Sequence, residues 1–208
     1  MIFANRKDAG MQLAEKLLEY MGEETMVLGI PRGGVIVAHE LQQRLECRLG
    51  IIVTRKLGFP GNPEYGIGAV AHDGTFVISD AAARNPQVTA EYLEQEKKRQ
   101  MAEIERRMRA YGASPSDDLS DTNVIVVDDG IATGMTVLVA LRFLRKANPK
   151  TLVLAVPVAP RDTINKLKTE ADHVICLHSP TMFFAVGQFY RDFDQISDEQ
   201  VIAILQQK

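Results

Sequence analysis

The sequence predicts an α/β fold built on a parallel sheet. Short runs of β-branched and other apolar residues, of the length of buried strands, recur at residues 26–30, 49–54, 124–127, 151–158 and 174–177. Helical patterns follow most of these runs, and strands that alternate with helices are typical of parallel sheets. The turns that follow several strands should therefore lie at one edge of the sheet.

Composition, charge and cysteine spacing limit the class of protein. A net charge of −3 argues against a general nucleic-acid binder, which usually has a basic excess. No apolar stretch reaches membrane-spanning length, and the first residues are too polar for a secretion signal. Cys47 and Cys176 are far apart and lack a Cys-x-x-Cys pattern, so neither a zinc site nor a disulfide framework is indicated. We expect a cytoplasmic protein without a membrane or nucleic-acid partner.

The first strand-turn-helix unit has a glycine-rich turn. A helix over 8–21, capped by Asp8, precedes a strand at 26–30, which runs into Pro31-Arg32-Gly33-Gly34 and a helix at 35–41. The two glycines permit backbone conformations closed to other residues and let a ligand approach the main chain. Arg32 adds positive charge. The alternative is a plain turn with a solvent-facing arginine.

The second such unit carries two adjacent carboxylates. Asp128 and Asp129 follow the strand at 124–127, where unpaired carboxylates are costly. The turn up to Thr136 leads into a helix over 137–145, and the N-terminus of a helix favours an anion. A ligand with sugar hydroxyls beside a phosphate, such as ribose 5-phosphate, would suit both halves. The two acids could also simply cap the helix.

The run at 124–136 resembles the phosphoribosyl-pyrophosphate (PRPP) signature of the type I phosphoribosyltransferases. The resemblance assigns the ribose hydroxyls to the paired acids and the 5-phosphate to the following turn. Ala132 departs from the Thr or Ser that is frequent in the family, and Met135 from the frequent Gly. The residues expected to bind PRPP are Asp128, Asp129, Gly130, Ile131, Ala132, Thr133, Gly134, Met135 and Thr136, together with Gly33 and Gly34.

The same resemblance implies the architecture of the whole chain. It is that of a parallel-sheet three-layer sandwich with a β-hairpin flap and a small C-terminal hood. We expect one domain over 1–208, with a core of about 26–177 and a hood of about 178–208 near the helix at 8–21. The resemblance also implies that the peptide bond between Arg32 and Gly33, or a neighbouring one, has an unusual conformation, of which cis is one form.

Two cations and a flexible loop follow the strand at 49–54. Arg55 and Lys56 would emerge at the same sheet edge as the other turns. The alternative is that they are simply two charged residues exposed to solvent, as is common after a strand. With Arg32, they are the candidate catalytic residues for the pyrophosphate leaving group. Residues 57–65 are rich in Gly and Pro, cannot form a helix or a central strand, and are expected to be a mobile flap over PRPP. Residues 66–78 read as a hairpin with an Asp-Gly turn.

The remaining elements include a long amphipathic helix at 86–111. Its apolar stripe consists of Met101, Ile104, Met108 and Tyr111. Its expected i,i+4 ion pairs are Glu94–Lys98, Glu103–Arg107 and Glu105–Arg109. A linker follows over 112–122.

The C-terminal part contains two further helices and an aromatic segment. We expect a helix capped near Asp162 and a last helix with a capping box at Ser197 and Gln200. The aromatic residues in 179–193 suggest, by resemblance, a hood over the acceptor through Phe183, Phe184 and Tyr190. Alternatively, they pack against the C-terminal helix.

The function implied is transfer of the 5-phosphoribosyl group of PRPP to a nitrogen of a nucleobase, with release of pyrophosphate. Mg²⁺ would be held indirectly by Asp128 and Asp129, through ribose or water. The expected partners are PRPP, an unidentified acceptor base and a second copy of the chain. The alternative is a PRPP-binding regulator or sensor without transferase activity. A phosphate-binding hydrolase or kinase lacks its own signatures, because the chain has neither a Walker A sequence nor Gly-x-Gly-x-x-Gly.

Overall fold

The computed structural model describes residues 2–112 and 118–207. In chain order, the strands are β1 (Thr25–Gly29), β2 (Arg48–Ile51), β3 (Thr54–Phe59), β4 (Asn62–Ala71), β5 (Phe76–Ile78), β6 (Asn123–Val127), β7 (Thr151–Val158) and β8 (His173–His178). The α-helices are α1 (Arg6–Ala14), α2 (Gly33–Leu45), α3 (Asp80–Ala83), α4 (Ala90–Tyr111), α5 (Met135–Arg145), α6 (Arg161–Leu167) and α7 (Asp198–Leu205). Among these described residues, no helix is long and apolar enough to cross a membrane.

A parallel five-stranded sheet in the order β2-β1-β6-β7-β8 forms the middle layer. Successive residues of a strand point to opposite faces, so β6 contributes Val124 and Val126 to one core and Ile125 and Val127 to the other. Helices α5 and α6 cover the first face, and α1 and α2 cover the second. The predicted three-layer α/β architecture is therefore confirmed, and the continuous apolar runs reflect burial on both faces.

A second sheet, antiparallel and in the order β3-β4-β5, packs beside α4 and α5. The predicted hairpin with an Asp-Gly turn is confirmed as β4 and β5. The single strand predicted at 49–54 is wrong, because β2 ends at Ile51 and Thr54 already begins β3. Residues 51–53 are apolar and lead directly into Thr54, so the sequence shows no break. Arg55 and Lys56 consequently lie inside a strand of the second sheet.

The segment at 57–65 is more regular than the sequence suggests. It belongs to the β3–β4 hairpin, whose register shifts on both sides of Gly58, and the tip turns at Gly61 with φ +75°. The segment forms neither a helix nor a central strand, as expected, because β3 is an edge strand and β4 pairs with β5 only from Gly68 onward. A bulge absorbs Gly58. The mobility of this segment stays a prediction.

Several helix boundaries differ from prediction. Helix α1 begins at Arg6 and is capped by Asn5, whose side chain accepts from the N–H of Asp8 at 3.0 Å. It ends at Ala14, and a 3₁₀ turn at Leu18–Tyr20 covers the rest of the predicted span. Asp8 is thus inside the helix. Asn and Asp cap helices about equally well, so their spacing of three residues left the choice open.

Two other helices begin elsewhere than predicted. Helix α4 begins at Ala90, because Thr89 caps it through the N–H of Tyr92 at 3.1 Å. Helix α6 begins at Arg161 after Pro160, so Asp162 lies in its first turn and not at its cap. The capping box of α7 at Ser197 and Gln200 is confirmed. Of the predicted linker, residues 113–117 lie outside the described residues.

The apolar stripe of α4 is confirmed, since all four of its members belong to one hydrophobic cluster with β3 and α7. The ion pair between Glu103 and Arg107 is confirmed at 2.9 Å. Glu94 pairs with Lys97 at 2.9 Å instead of Lys98, because residues three apart on a helix are neighbours as well as residues four apart.

Candidate functional site

Two turns meet at one edge of the parallel sheet. Strands β1 and β6 are direct neighbours, with Gly29 opposite Val127 at their carboxyl ends. The N–H of Ile30 donates to the carbonyl of Val127 at 2.8 Å, which holds the two chains together beyond the last register pair. The glycine-rich turn after β1 and the acid pair after β6 therefore lie against each other, as the parallel-sheet argument predicted.

The contact between the turns is so close that only glycine fits. A Cβ atom added to Gly33 would overlap Oδ2 of Asp129 and lie 2.6 Å from its Cγ. One added to Gly34 would lie 2.7 Å from the carbonyl oxygen of Val127. Without such side chains, the main chain of this turn can approach a ligand held by the acids. The peptide bond between Pro31 and Arg32 is cis, which confirms the expectation of an unusual peptide beside Arg32.

The two carboxylates have different partners. Asp128 Oδ1 accepts from the N–H of Asp129 at 2.9 Å, and Asp129 Oδ2 accepts from Nε of Arg6 at 2.7 Å. Burial raises the pKa of Asp128, and the charge of Asp129 raises it further. Burial also raises the pKa of Asp129, although Arg6 opposes the effect. Hydroxyl donors or a cation placed here would favour the ionised pair.

Arg6 is a site residue that the sequence analysis missed. Its side chain is 10% exposed, its Nη1 donates to the carbonyl of Asp194 at 2.8 Å, and its guanidinium lies 3.8 Å from the ring centre of Phe193. It is separated from Asp129 by 123 residues. A lone arginine near a polar N-terminus resembles any exposed residue, so no signal in the sequence could have found it.

The turn from Gly130 to Thr136 lies at the start of α5. The N–H of Ile131 donates to the carbonyl of Val158 at 2.9 Å. Ala132 and Thr133, which follow, are exposed. Gly134 caps α5 with φ +79°, a conformation that favours glycine. In the part of the chain that the structure describes, the N–H groups of Ala132, Thr133 and Gly134 have no hydrogen-bond partner. Such donors at a helix N-terminus suit a phosphate.

A pocket of about 400 Å³ joins Asp129 to the glycine-rich turn and the C-terminal segment. It is lined by Arg6, Arg32, Gly33, Asp129, Phe193, Asp194, Gln195 and Ile196. Nη1 of Arg32 lies 4.0 Å from Oδ1 of Asp198, in the first turn of α7. The pocket is thus lined by two arginines, Arg6 and Arg32, and by the Asp129 carboxylate.

Arg55 and Lys56 are not among the residues that line this pocket. Nε of Arg55 donates to Oε1 of Gln100 on α4 at 3.0 Å, and Lys56 is exposed on the same strand. The expectation that both directly follow a strand of the parallel sheet is wrong, since they lie inside β3 of the antiparallel sheet. A contact with a bound ligand would have to be made from the hairpin.

The aromatic residues of the C-terminal segment pack mainly on the N-terminus. Tyr190 is buried between the rings of Phe3 at 5.4 Å and Phe193 at 5.0 Å, and its hydroxyl donates to the carbonyl of Asp129. Phe183 packs on Phe189 at 5.3 Å, whereas Phe184 is 83% exposed. The alternative of packing against the C-terminal helix is wrong, since these residues form a separate cluster with Phe3.

The acid pair fits an indirectly held Mg²⁺ better than an enclosed metal. Among the residues that are described, no cluster of three or more His, Cys, Asp or Glu side chains could hold an ion. Mg²⁺ usually keeps several waters and binds one or two carboxylates together with substrate phosphates. With Asp129 bound to Arg6, the pair could contact such an ion through ribose or water.

Comparison with known proteins agrees with this geometry. A sequence profile of the phosphoribosyl transferase domain matches residues 1–194. A curated relative from Mycobacterium tuberculosis (strain H37Rv), named "Putative phosphoribosyl transferase Rv0571c", is 40% identical over 205 residues, which are 98% of this chain and 46% of the relative. The chain spans about half the length of the curated relatives it matches.

Solved structures give the same result for the fold. The protein TT1426 from Thermus thermophilus is 40% identical, with a TM-score of 0.81 and coverage of 99% of this chain and 98% of that chain. A purine phosphoribosyltransferase from Pyrococcus horikoshii is 20% identical, with a TM-score of 0.50 and 92% of each chain covered. At that identity, the second likeness concerns the fold alone.

Proposed function

This chain belongs to the phosphoribosyl transferase family, and on that premise we propose that it transfers the 5-phosphoribosyl group of PRPP to a nitrogen of a nucleobase. Pyrophosphate is the leaving group. The observation that carries the proposal is the contact of the Gly33-Gly34 turn with Asp128 and Asp129. A polyol held by the acids would have its C1 substituent beside the main chain of that turn.

Each part of PRPP has a matching group in the proposed site. Asp128 and Asp129 accept hydrogen bonds from the ribose hydroxyls. The N–H groups of the turn at 130–136, at the start of α5, bind the 5-phosphate. Gly33 and Gly34 bind the pyrophosphate through their main chain, and Arg32 adds charge. Mg²⁺, when bound, would be held through ribose or water by Asp128 and Asp129 and would supply further positive charge to stabilise the pyrophosphate.

Catalysis in this proposal needs no covalent nucleophile. The bond from C1 to the pyrophosphate breaks while the acceptor nitrogen attacks, and the sugar has oxocarbenium character in between. The protein therefore acts by holding both reactants in line and by stabilising charge on the departing group. Arg32 is placed on the side of the pyrophosphate turn. Lys56 and Arg55 would act from the β3–β4 hairpin, and closure of that hairpin would exclude water.

The acceptor would enter between the acid pair and the C-terminal segment. Phe193 lines the pocket there, although its ring is already stacked by Arg6 and Tyr190. The exposed Phe184 and half-buried Phe183 are the aromatic groups of the proposed hood that retain accessible surface. Residues 178–208, together with α1, would then form the acceptor side of a single domain.

The test uses Asp128→Asn with Asp129→Asn. We expect the wild type to bind PRPP in the presence of Mg²⁺ by calorimetry and the double variant to lose this binding, with an unchanged circular dichroism spectrum. Asp80→Asn is the matched control, because this carboxylate is exposed on α3. A panel of purine and pyrimidine bases should then release pyrophosphate with the wild type for at least one acceptor. Equal PRPP affinity in wild type and double variant would contradict the assignment of the acids.

A further inference from the structure

Arg6 connects three parts of the molecule that are distant in sequence. From the first turn of α1, it reaches Asp129 after β6 and the carbonyl of Asp194 in the C-terminal segment, at 2.7 and 2.8 Å. Its Nε would be 2.8 Å from a Cβ placed on Gly33, so it also touches the pyrophosphate turn. Phe193 covers one face of its guanidinium at 3.8 Å. A side chain with so many fixed contacts has little rotational freedom.

Both the main chain and the side chain of Asp129 are bonded to residues that are distant in sequence. Its carbonyl accepts from the Tyr190 hydroxyl, and its Oδ2 accepts from Arg6. Asp128, in contrast, has its Oδ1 bonded to the adjacent N–H of Asp129. The Arg6 bond is made to Oδ2 of Asp129, so Oδ1 is the other oxygen with which this carboxylate can accept from a ligand. The orientation of that oxygen is fixed by the ion pair.

We propose that Arg6 is a positioning residue, which orients the Asp129 carboxylate toward a ribose hydroxyl of PRPP and so makes α1 part of the substrate site. This inference rests on the proposed function, since PRPP is its ligand. Partners that orient a ligating carboxylate are worth about 10- to 100-fold in affinity or activity when removed. The N-terminal helix therefore sets substrate affinity without touching the reacting atoms.

The opposite role for Arg6 makes a different prediction. If the ion pair competed with the substrate hydroxyl for Asp129, Arg6 would be a latch, and its removal would tighten binding. The geometry favours positioning, because Arg6 is held independently by Asp194 and Phe193 and need not move for Oδ1 of Asp129 to accept a bond. A latch would need an arginine that can move away from Asp129. The contacts of Arg6 with Asp194 and Phe193 oppose such a movement.

The experiment is a double-mutant cycle read by calorimetry with PRPP and Mg²⁺. Arg6→Ala should weaken PRPP binding about tenfold or more, and Arg6→Lys should restore part of the loss because it keeps a cation near Asp129. In an Asp129→Asn background, Arg6→Ala should have almost no further effect, since no carboxylate remains to be oriented. A purely structural role of Arg6 would give additive losses instead.

Arg44→Ala is the matched control for the docking of α1. Nε of Arg44 pairs with Glu15, next to the end of α1, at 2.7 Å on the exposed surface, away from the acids. This variant should bind PRPP like the wild type. Additive losses in the cycle, or equal or tighter binding by Arg6→Ala, would overturn the role of Arg6 alone. A wild type that binds no PRPP would overturn the proposed function and this role together, which is a separate outcome.

Discussion

The edge of the parallel sheet and the β3–β4 hairpin are held together by different means. At the sheet edge, the register of β1 with β6 brings the main chain of the Gly33-Gly34 turn directly against the acids. The hairpin is instead attached to α4 through side chains. The difference teaches that the proposed phosphate and ribose contacts are built on a rigid frame. The proposed lid is joined to α4 by apolar packing and by a few side-chain hydrogen bonds that can be changed one at a time.

The attachment of the hairpin is concentrated at Gly58. Its N–H donates to Oε1 of Glu96 at 3.2 Å, and its carbonyl accepts from the Tyr92 hydroxyl at 2.7 Å. Glu96 is buried and also accepts from Gln100 at 2.9 Å, which in turn accepts from Arg55. One bulged glycine thus links the hairpin, the α4 helix and a candidate catalytic arginine.

The largest expected effect is that of Gly33→Ala at the rigid edge. Because its Cβ would overlap Oδ2 of Asp129, either the turn must move away from the acids or the Asp129 carboxylate must leave its place beside Arg6. We expect a loss of about 1–3 kcal/mol in the free energy of unfolding, as for overpacked sites. A displacement of this size should lower PRPP affinity about 100-fold. Urea denaturation and calorimetry measure the two effects.

Gly66→Ala in β4 is the matched control from the hairpin. A Cβ there meets only Cδ of Lys56 at 3.7 Å, an ordinary contact. Its free energy of unfolding should change by less than about 1 kcal/mol, because the unfolded chain also loses freedom. If both variants behaved alike, the contrast between a rigid edge and an adjustable hairpin would be lost.

The next effect concerns Lys56→Ala, which should reduce turnover more than PRPP affinity. A cation on the hairpin gains most from the charge that develops on departing pyrophosphate, so its removal raises the barrier by more than it weakens ground-state binding. We expect a loss of about 10²-fold in turnover. Lys98→Ala, on the exposed face of α4, is the control. Tight PRPP binding without pyrophosphate release for any base, with a Lys56→Ala effect confined to affinity, would instead indicate a sensor.

A smaller effect is expected for the hairpin attachment itself. Tyr92→Phe removes only the hydroxyl that donates to Gly58, which should cost about 1 kcal/mol and speed amide exchange over residues 57–65 by about fivefold. Exchange of β6 amides should not change. Tyr65→Phe, at the exposed tip, is the control. In the wild type, PRPP should slow exchange over the same residues, and equal protection with and without PRPP would argue against a lid.

The smallest effect is the pH dependence of the Glu103 ion pairs on α4. Hydrogen bonds from Arg106 and Arg107 lower the pKa of Glu103 from its usual 4.5 to about 2. A lowered pKa in the folded state stabilises the protein above pH 4.5, and this contribution disappears as the pH falls to about 2. Glu103→Gln should therefore cost less than about 1 kcal/mol at pH 6 and nothing near pH 2. A cost that is equal at both pH values would exclude the ion pairs as its cause.

Much of the parallel sheet could be predicted from the sequence because its signals are local. Four consecutive β-branched residues at 124–127, or a glycine pair after an apolar run, indicate a strand and a turn without knowledge of the rest of the chain. The boundaries at Ile51 and Thr54 could not be predicted. Strands β2 and β3 of different sheets follow each other there with only the buried Ile52 and Val53 between them, and hydrophobicity does not distinguish a continued strand from a new one.

By itself, then, the sequence determined the two strand-turn-helix units, the glycines that let their turns meet and the acid pair, because each depends on neighbours within a few residues. Only the tertiary structure decided what surrounds the acids. Arg6 and Tyr190 are 123 and 61 residues from Asp129, and their contacts exist only after α1 and the aromatic segment have packed on the sheet. A side-chain bond over such a separation follows from the docking of whole elements, and no local pattern of residues encodes it.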